Sequence, residues 1–106
     1  MKVSSTLGVG FVEKVYENAL VVELARAGLV VEQQKPIKVK YEGVIVGDFA
    51  ADIVVNGIVI VELKVAKTID DIHKAQLLNY LRATGLKVGL ILNFGTPRLG
   101  IKRMVL

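Results

Sequence analysis

The chain has 106 residues, of which 53% are hydrophobic and 23% charged. This balance predicts a single globular domain over residues 1–106 and excludes a disordered chain. No apolar run reaches the ~20 residues of a membrane span, and the first residues lack the apolar core of an export signal. We therefore expect a soluble cytoplasmic protein that does not contact membranes. The absence of cysteine excludes disulfides and thiolate metal sites.

The net charge of +4 is unevenly distributed along the chain. Residues 1–63 carry six Lys or Arg and eight Asp or Glu, whereas residues 64–106 carry eight basic and two acidic residues. A basic half beside an acidic cluster suits a site that guides a polyanion towards a bound cation. An ordinary basic surface would give the same counts, so charge alone leaves both interpretations open.

Apolar spacing predicts one helix and several strands in the first 64 residues. The helix covers residues 10–27, with Gly28 as a left-handed stop, because apolar residues recur there at intervals of three and four. Short strands are predicted at 30–33, 37–41 and 44–46, separated by Pro36 and by a turn at Glu42-Gly43. Residues 49–55 and 58–64 then form a hairpin about Asn56-Gly57.

The remaining residues predict a second helix followed by two strands. Thr68-Ile69-Asp70-Asp71 resembles a capping box that opens a helix over 70–84, and Gly85 ends that helix. Apolar strands follow at 87–93 and 101–106. The order of elements predicts an α/β sandwich with a mixed central sheet.

Three ionisable residues interrupt the apolar hairpin: Asp52, Glu62 and Lys64. An unpaired charge inside a buried strand is costly, so these groups must pair with one another or hold a cation. Glu62 and Lys64 are two residues apart and leave the same face of their strand. Asp52 joins that face only if the turn has an odd number of residues. We predict a three-residue loop over 55–57, which sets Asp52 opposite Ile60.

These groups suit phosphoester chemistry that depends on a divalent cation. The Asp52 and Glu62 carboxylates and the Leu63 carbonyl are hard oxygen ligands for Mg²⁺ or Mn²⁺, and such a site activates water for attack on phosphorus. Lys64 is placed to orient that water or to stabilise charge on the phosphate. The alternative is a buried ion pair of Lys64 with Asp52 or Glu62, without catalysis.

Each predicted helix offers further candidates for the site. Glu13 and Tyr16 share one face of the first helix, and we predict that Glu13 reaches the metal and Tyr16 the substrate. On the second helix Gln76 and Tyr80 share a sector, from which they can hydrogen-bond the attacking water, Lys64 or a phosphate. Glu13 also fits a solvated surface position. A lone histidine, His73, is more often structural and is not included in the catalytic set.

The chain resembles the GxxExxY family of the PD-(D/E)xK nuclease superfamily. The family motif reads here as Gly10-Phe11-Val12-Glu13-Lys14-Val15-Tyr16. The superfamily core reads as Asp52, then Glu62-Leu63-Lys64, then Gln76 followed by Leu77-Leu78-Asn79-Tyr80-Leu81, with Leu92-Asn93-Phe94-Gly95 and Lys102-Arg103 near the end. The similarity extends from Leu7 to Val105.

The resemblance implies a restriction-endonuclease-like fold with an αβββαβ core and Mg²⁺-dependent phosphodiester hydrolysis centred on Asp52, Glu62 and Lys64. Glu13 matches the first-helix glutamate that many members place at the metal, and Gln76 matches a second-helix glutamine found in several. Family members usually carry a longer helix before the Gly-x-Gly element. Only residues 1–7 precede it here, so we expect a shortened amino-terminal helix.

Three functions remain open at this point. The first is a metal-dependent nuclease that acts on DNA, for which Mg²⁺ or Mn²⁺ is the cofactor. The second is a catalytically silent module of the same fold that binds nucleic acid or assembles into a homo-oligomer. The third is hydrolysis of a nucleotide or another phosphoester, since no motif for reading bases is evident.

Overall fold

A computed structural model describes residues 2–106; Met1 lies outside the described part. The elements, in chain order, are α1 (Lys2–Leu7), α2 (Glu13–Arg26), β1 (Val31–Tyr41), β2 (Val44–Val55), β3 (Val59–Lys64), α3 (Asp71–Thr84), β4 (Val88–Asn93) and β5 (Gly100–Val105). None of the three helices in this part of the chain combines the length and hydropathy of a transmembrane span.

The five strands form one mixed sheet in the order β1-β2-β3-β4-β5. Neighbouring strands are antiparallel except β3 and β4, which are parallel and are joined through α3. A parallel pair needs such a crossover connection. The mixed sheet with flanking helices confirms the predicted α/β architecture and agrees with a restriction-endonuclease-like fold.

Apolar side chains fill both faces of the sheet because β3 alternates between them. On one face, α1 and α2 pack over Ile53, Val61, Leu63, Leu92 and Phe94. On the other face, α3 packs over Ile37, Val54, Ile60 and Ile91. Glu62 and Lys64 follow Ile60 at intervals of two, so they lie on the face that α3 covers.

The first two strands are longer than the sequence predicts. The strands expected at 30–33 and 37–41 are one strand, β1, and those expected at 44–46 and 49–55 are one strand, β2. Pro36 does not interrupt β1, because β1 is an edge strand and proline is tolerated where no neighbour needs its N–H. Together the two strands form a long arm that extends beyond the rest of the sheet, where only β1 and β2 pair with each other.

The ends of α2 and α3 lie close to the residues that the sequence predicts, with small differences. α2 begins at Glu13 rather than at residue 10, since Gly10 has φ 112° and cannot start a helix. α3 ends at Gly85, whose φ is 77°, as predicted. Its capping box is formed by Asp70 and His73, not by Thr68: the His73 N–H donates to Asp70 Oδ1 over 3.3 Å, and the Asp70 N–H donates to His73 Nδ1 over 3.4 Å.

Candidate active site

The hairpin turn has three residues, as parity requires, but they are Asn56, Gly57 and Ile58 rather than residues 55–57. The Ile58 N–H donates to the Val55 carbonyl over 3.0 Å, with φ of 53° at Asn56 and 64° at Gly57, as in a type I′ turn. Pairing resumes at Val55 with Val59, so Ile58 is the extra residue. The same register, continued from Ile53 with Val61, sets Asp52 opposite Glu62 and not opposite Ile60.

The Asp52 and Glu62 carboxylates are locked together across the two strands. The Asp52 N–H donates to Glu62 Oε2 over 2.7 Å, and the Leu63 N–H donates to Asp52 Oδ2 over 2.8 Å. Each carboxylate thus accepts from the backbone of the opposite strand, at the point where the regular ladder of β2 and β3 stops. Both acids are therefore rigidly placed where the two strands separate.

Burial disfavours the ionised form of both acids. Glu62 is 6% exposed, and desolvation together with the negative charge of Asp52 raises its pKa from 4.5 to about 8. Desolvation is also the main cause that raises the pKa of Asp52, with a further contribution from the charge of Glu17. Two adjacent carboxyl groups whose pKa values are raised by desolvation form a pattern that is common at functional sites.

Lys64 and Glu13 lie close enough to influence this pair. The charge of Lys64 lowers the pKa of Asp52, Glu62 and Glu13, although desolvation outweighs it at each of them. Glu13, in the first turn of α2, is half-buried; desolvation and then the charge of Asp52 raise its pKa. Glu13 on α2 and Lys64 on β3 therefore lie within electrostatic range of the hydrogen-bonded pair of Asp52 and Glu62.

Tyr16 does not line the site. The side chain is fully buried, its ring stacks on Phe94 with centroids 4.7 Å apart, and its hydroxyl donates to the Gly8 carbonyl over 2.6 Å. The same hydroxyl accepts the Phe11 N–H over 3.2 Å. The prediction that Tyr16 contacts substrate therefore gives way to a structural role: Tyr16 fastens the turn before α2, and thereby the position of Glu13.

A polar network that the sequence reasoning missed lies behind Asp52. Glu17 is 2% exposed and accepts from Gln33 (2.5 Å), Gln34 (3.0 and 3.1 Å) and Lys14 (2.9 Å). Burial by itself would raise the pKa of Glu17, but these hydrogen bonds outweigh it and the pKa lies below its ordinary value. Gln34 also donates to Asp52 Oδ1 over a long 3.5 Å.

Gln34 has a backbone conformation that is unusual for its residue type. Its φ is 54°, in the left-handed region that favours glycine. It lies within β1 across from Asp52, between the pairs Gln33 with Ile53 and Lys35 with Ala51. The spacing of apolar residues cannot predict a single positive φ within a strand. The only signal in the sequence was the pair of adjacent glutamines, Gln33 and Gln34.

Gln76 and Tyr80 extend the site along α3. Gln76 donates to the Tyr80 hydroxyl over 2.8 Å, and Tyr80 is nearly buried. Desolvation and the charge of Glu62 raise the pKa of Tyr80, so its hydroxyl stays protonated. Tyr80 thus lies within range of the charges of the acid pair, and Gln76 bonds to Tyr80.

The donor set fits a divalent cation with few protein ligands. Within residues 2–106 no three Asp, Glu or His side chains converge on one cation position, so a site with Glu13 as a third carboxylate ligand is not supported. Mg²⁺ is commonly held by one or two carboxylates, with water and substrate completing its shell. Asp52 and Glu62 meet that requirement. The positive charge of a bound cation would stabilise the ionised forms that burial disfavours.

The family model of the PD-(D/E)XK nuclease superfamily matches residues 1–104. The fold and the paired acids on β2 and β3 agree with that match, and the chain belongs to this superfamily of nucleases. Comparisons with curated proteins and with solved structures gave no match.

Proposed function

We propose that the protein is a nuclease of the GxxExxY family that uses Mg²⁺ or Mn²⁺ to hydrolyse phosphodiester bonds in DNA. The observation that carries the proposal is the interlocked, desolvated pair of Asp52 and Glu62, with Lys64 next along β3. Backbone hydrogen bonds hold both carboxyl groups in a buried position, where their ionised forms are poorly solvated. A close ion pair with Lys64 would lower the pKa of its carboxylate partner, whereas the pKa of both acids is raised.

Each residue has a distinct role in this proposal. Asp52 and Glu62 would hold the cation, with the Leu63 carbonyl as a further oxygen ligand. When bound, the cation supplies Lewis acidity that polarises the phosphodiester and makes water a better nucleophile. Lys64 orients the water and stabilises charge on the phosphate oxygens, Gln76 and Tyr80 hydrogen-bond the substrate, and Glu13 acts at longer range, through water.

Cleavage assays with matched variants test this proposal. Single-stranded and duplex DNA are incubated with Mg²⁺, with Mn²⁺ or with EDTA, using the wild type, Asp52→Asn, Glu62→Gln and Lys64→Met. We expect cation-dependent cleavage that each substitution lowers by at least about 100-fold. Asp48→Asn is the control, because Asp48 lies on the same strand but is exposed and pairs with Lys38. Cleavage that persists in all three variants would contradict the assignment.

Calorimetry with Mn²⁺ distinguishes the nuclease from the catalytically silent module. Mn²⁺ binding that Asp52→Asn removes supports the nuclease, whereas DNA binding without any Mn²⁺ binding supports the silent alternative. A homo-oligomer and a cytoplasmic location stay predictions; sedimentation velocity of the wild type tests the first and cell fractionation the second.

A further inference from the structure

A groove lies between α3 and the arm of β1 and β2, beside the candidate active site. Its volume is about 740 Å³, within the roughly 300–1,000 Å³ of small-molecule pockets. Val39 and Phe49 line it from the arm, and Gln76, Asn79, Tyr80 and Arg82 line it from α3. Tyr80 joins the groove to the site, because it lines the groove, accepts a hydrogen bond from Gln76 and lies within range of the charges of Glu62 and Asp52.

The lining of the groove matches the chemistry of an unpaired nucleobase. Phe49 is 46% exposed as a residue, and the centroid of its ring lies 5.9 Å from that of Tyr80, with 46° between the ring planes. An exposed aromatic ring offers a stacking surface to any base, whatever its sequence. Asn79 supplies a polar edge, and Arg82, which donates to Asn79 over 3.2 Å, is a cation suited to a backbone phosphate.

The size of the groove distinguishes a single strand from a duplex. A groove of about 740 Å³, lined by Val39 and Phe49 from the arm and by one face of α3, is of the size of a small-molecule pocket and suits unpaired bases rather than a whole duplex. A duplex keeps its bases paired and stacked, with their flat faces inaccessible to Phe49. The occupant must therefore present free base faces beside the bond that is cut.

We propose that this groove binds unpaired bases of a single-stranded segment of the substrate, with Phe49 stacking on a base and Arg82 contacting the adjoining phosphate. The inference deepens the proposed function and rests on it, since Tyr80 links the groove to Asp52 and Glu62. It assigns the substrate as single-stranded or frayed DNA rather than intact duplex.

Fluorescence anisotropy in EDTA tests the groove without cleavage. The probes are a labelled oligodeoxynucleotide, the same strand annealed into a duplex, and the same strand with abasic sites. The proteins are the wild type, Phe49→Leu, Phe49→Trp and Tyr41→Leu. Tyr41 is the matched control because it is an aromatic residue on the same arm, 67% exposed and outside the groove. Melting temperatures of all four proteins show that each is folded.

We expect the wild type to bind the single strand more tightly than the duplex or the abasic strand. Phe49→Leu should weaken single-strand binding on the order of tenfold, Phe49→Trp should restore it, and Tyr41→Leu should leave it unchanged. Equal binding of the normal and abasic strands, or equal effects of Phe49→Leu and Tyr41→Leu, would overturn the inference. So would the absence of single-strand binding by the wild type.

Cleavage by the same proteins separates this inference from the proposed function. If Glu62→Gln abolishes cleavage while Phe49→Leu changes neither binding nor the preference among substrates, the active site stands and the groove assignment fails. If the binding pattern appears but the wild type cleaves no DNA with either cation, the groove stands and the hydrolytic function fails.

Discussion

Replacing Glu62 with glutamine should abolish cleavage and yet stabilise the protein at alkaline pH. In the absence of metal, burial and the charge of Asp52 raise the pKa of Glu62 to about 8. Between pH 4.5 and 8 the folded chain holds a proton on Glu62 that the unfolded chain has lost. Unfolding therefore releases a proton, and a rise in pH favours the unfolded state.

The magnitude follows from the width of that pH window. Each pH unit between 4.5 and about 8 removes about 1.4 kcal/mol from the free energy of unfolding, so the whole window costs about 5 kcal/mol. Glutamine is uncharged at every pH and keeps an oxygen that can accept the Asp52 N–H. Glu62→Gln should therefore equal the wild type near pH 5 and exceed it near pH 8.

Urea denaturation in EDTA from pH 5 to pH 9 measures this difference. With an m-value of about 2 kcal/mol per molar urea, the midpoint of the variant should be roughly 2 M higher than that of the wild type near pH 8. Asp48→Asn, which removes an exposed carboxylate from β2, should follow the wild type across the range. A Glu62→Gln profile that runs parallel to the wild type, or a variant less stable at pH 8, would refute the reasoning.

Three further predictions concern the metal and the backbone. Calorimetric Mn²⁺ affinity should rise by up to tenfold per pH unit below pH 8, because the cation displaces the proton on Glu62; an affinity that does not change with pH contradicts this. At Gln34, with φ 54°, glycine should be about 1 kcal/mol less destabilising than alanine in urea unfolding; equal costs would show that the backbone is unstrained. Gly95→Ala should lower the free energy of unfolding by more than about 2 kcal/mol, since the added Cβ would lie 2.3 Å from the Ala66 carbonyl oxygen. Gly100→Ala is the control: its Cβ would meet the nearest atom at 3.3 Å, so it should lower the free energy of unfolding by less in the same assay.

The paired acids show how far a pattern along the chain can lead. The apolar surroundings of Asp52 and Glu62 indicated that both are buried, and strand parity required an odd loop. Parity did not fix which three residues form the loop, because Val55 and Ile58 are equally suited to the strands. The backbone selected Ile58 as the extra residue, with positive φ at Asn56 and Gly57, which placed the two acids directly opposite each other.

Tyr16 and Glu17 show where a helical pattern fails. Tyr16 lies on the face of α2 that was expected to line the site, and Glu17 follows it in the chain, but spacing cannot tell which part of a helix face meets the core. Packing against Phe94 made Tyr16 a structural residue, and hydrogen bonds from Gln33 and Gln34, at sequence separations of 16 and 17, made Glu17 a buried anchor.

By itself the sequence determined the class of fold, the ends of α3 and the candidate residues Asp52, Glu62 and Lys64. These features depend on interactions within a few residues, such as helix caps, turns and the alternation of side chains along a strand. The tertiary structure alone decided the continuous arm of β1 and β2, the network that links Glu17 to Asp52 through Gln34, and the groove beside α3. Those features depend on contacts between residues far apart in the chain, whose pairing is fixed only when the sheet and helices pack together.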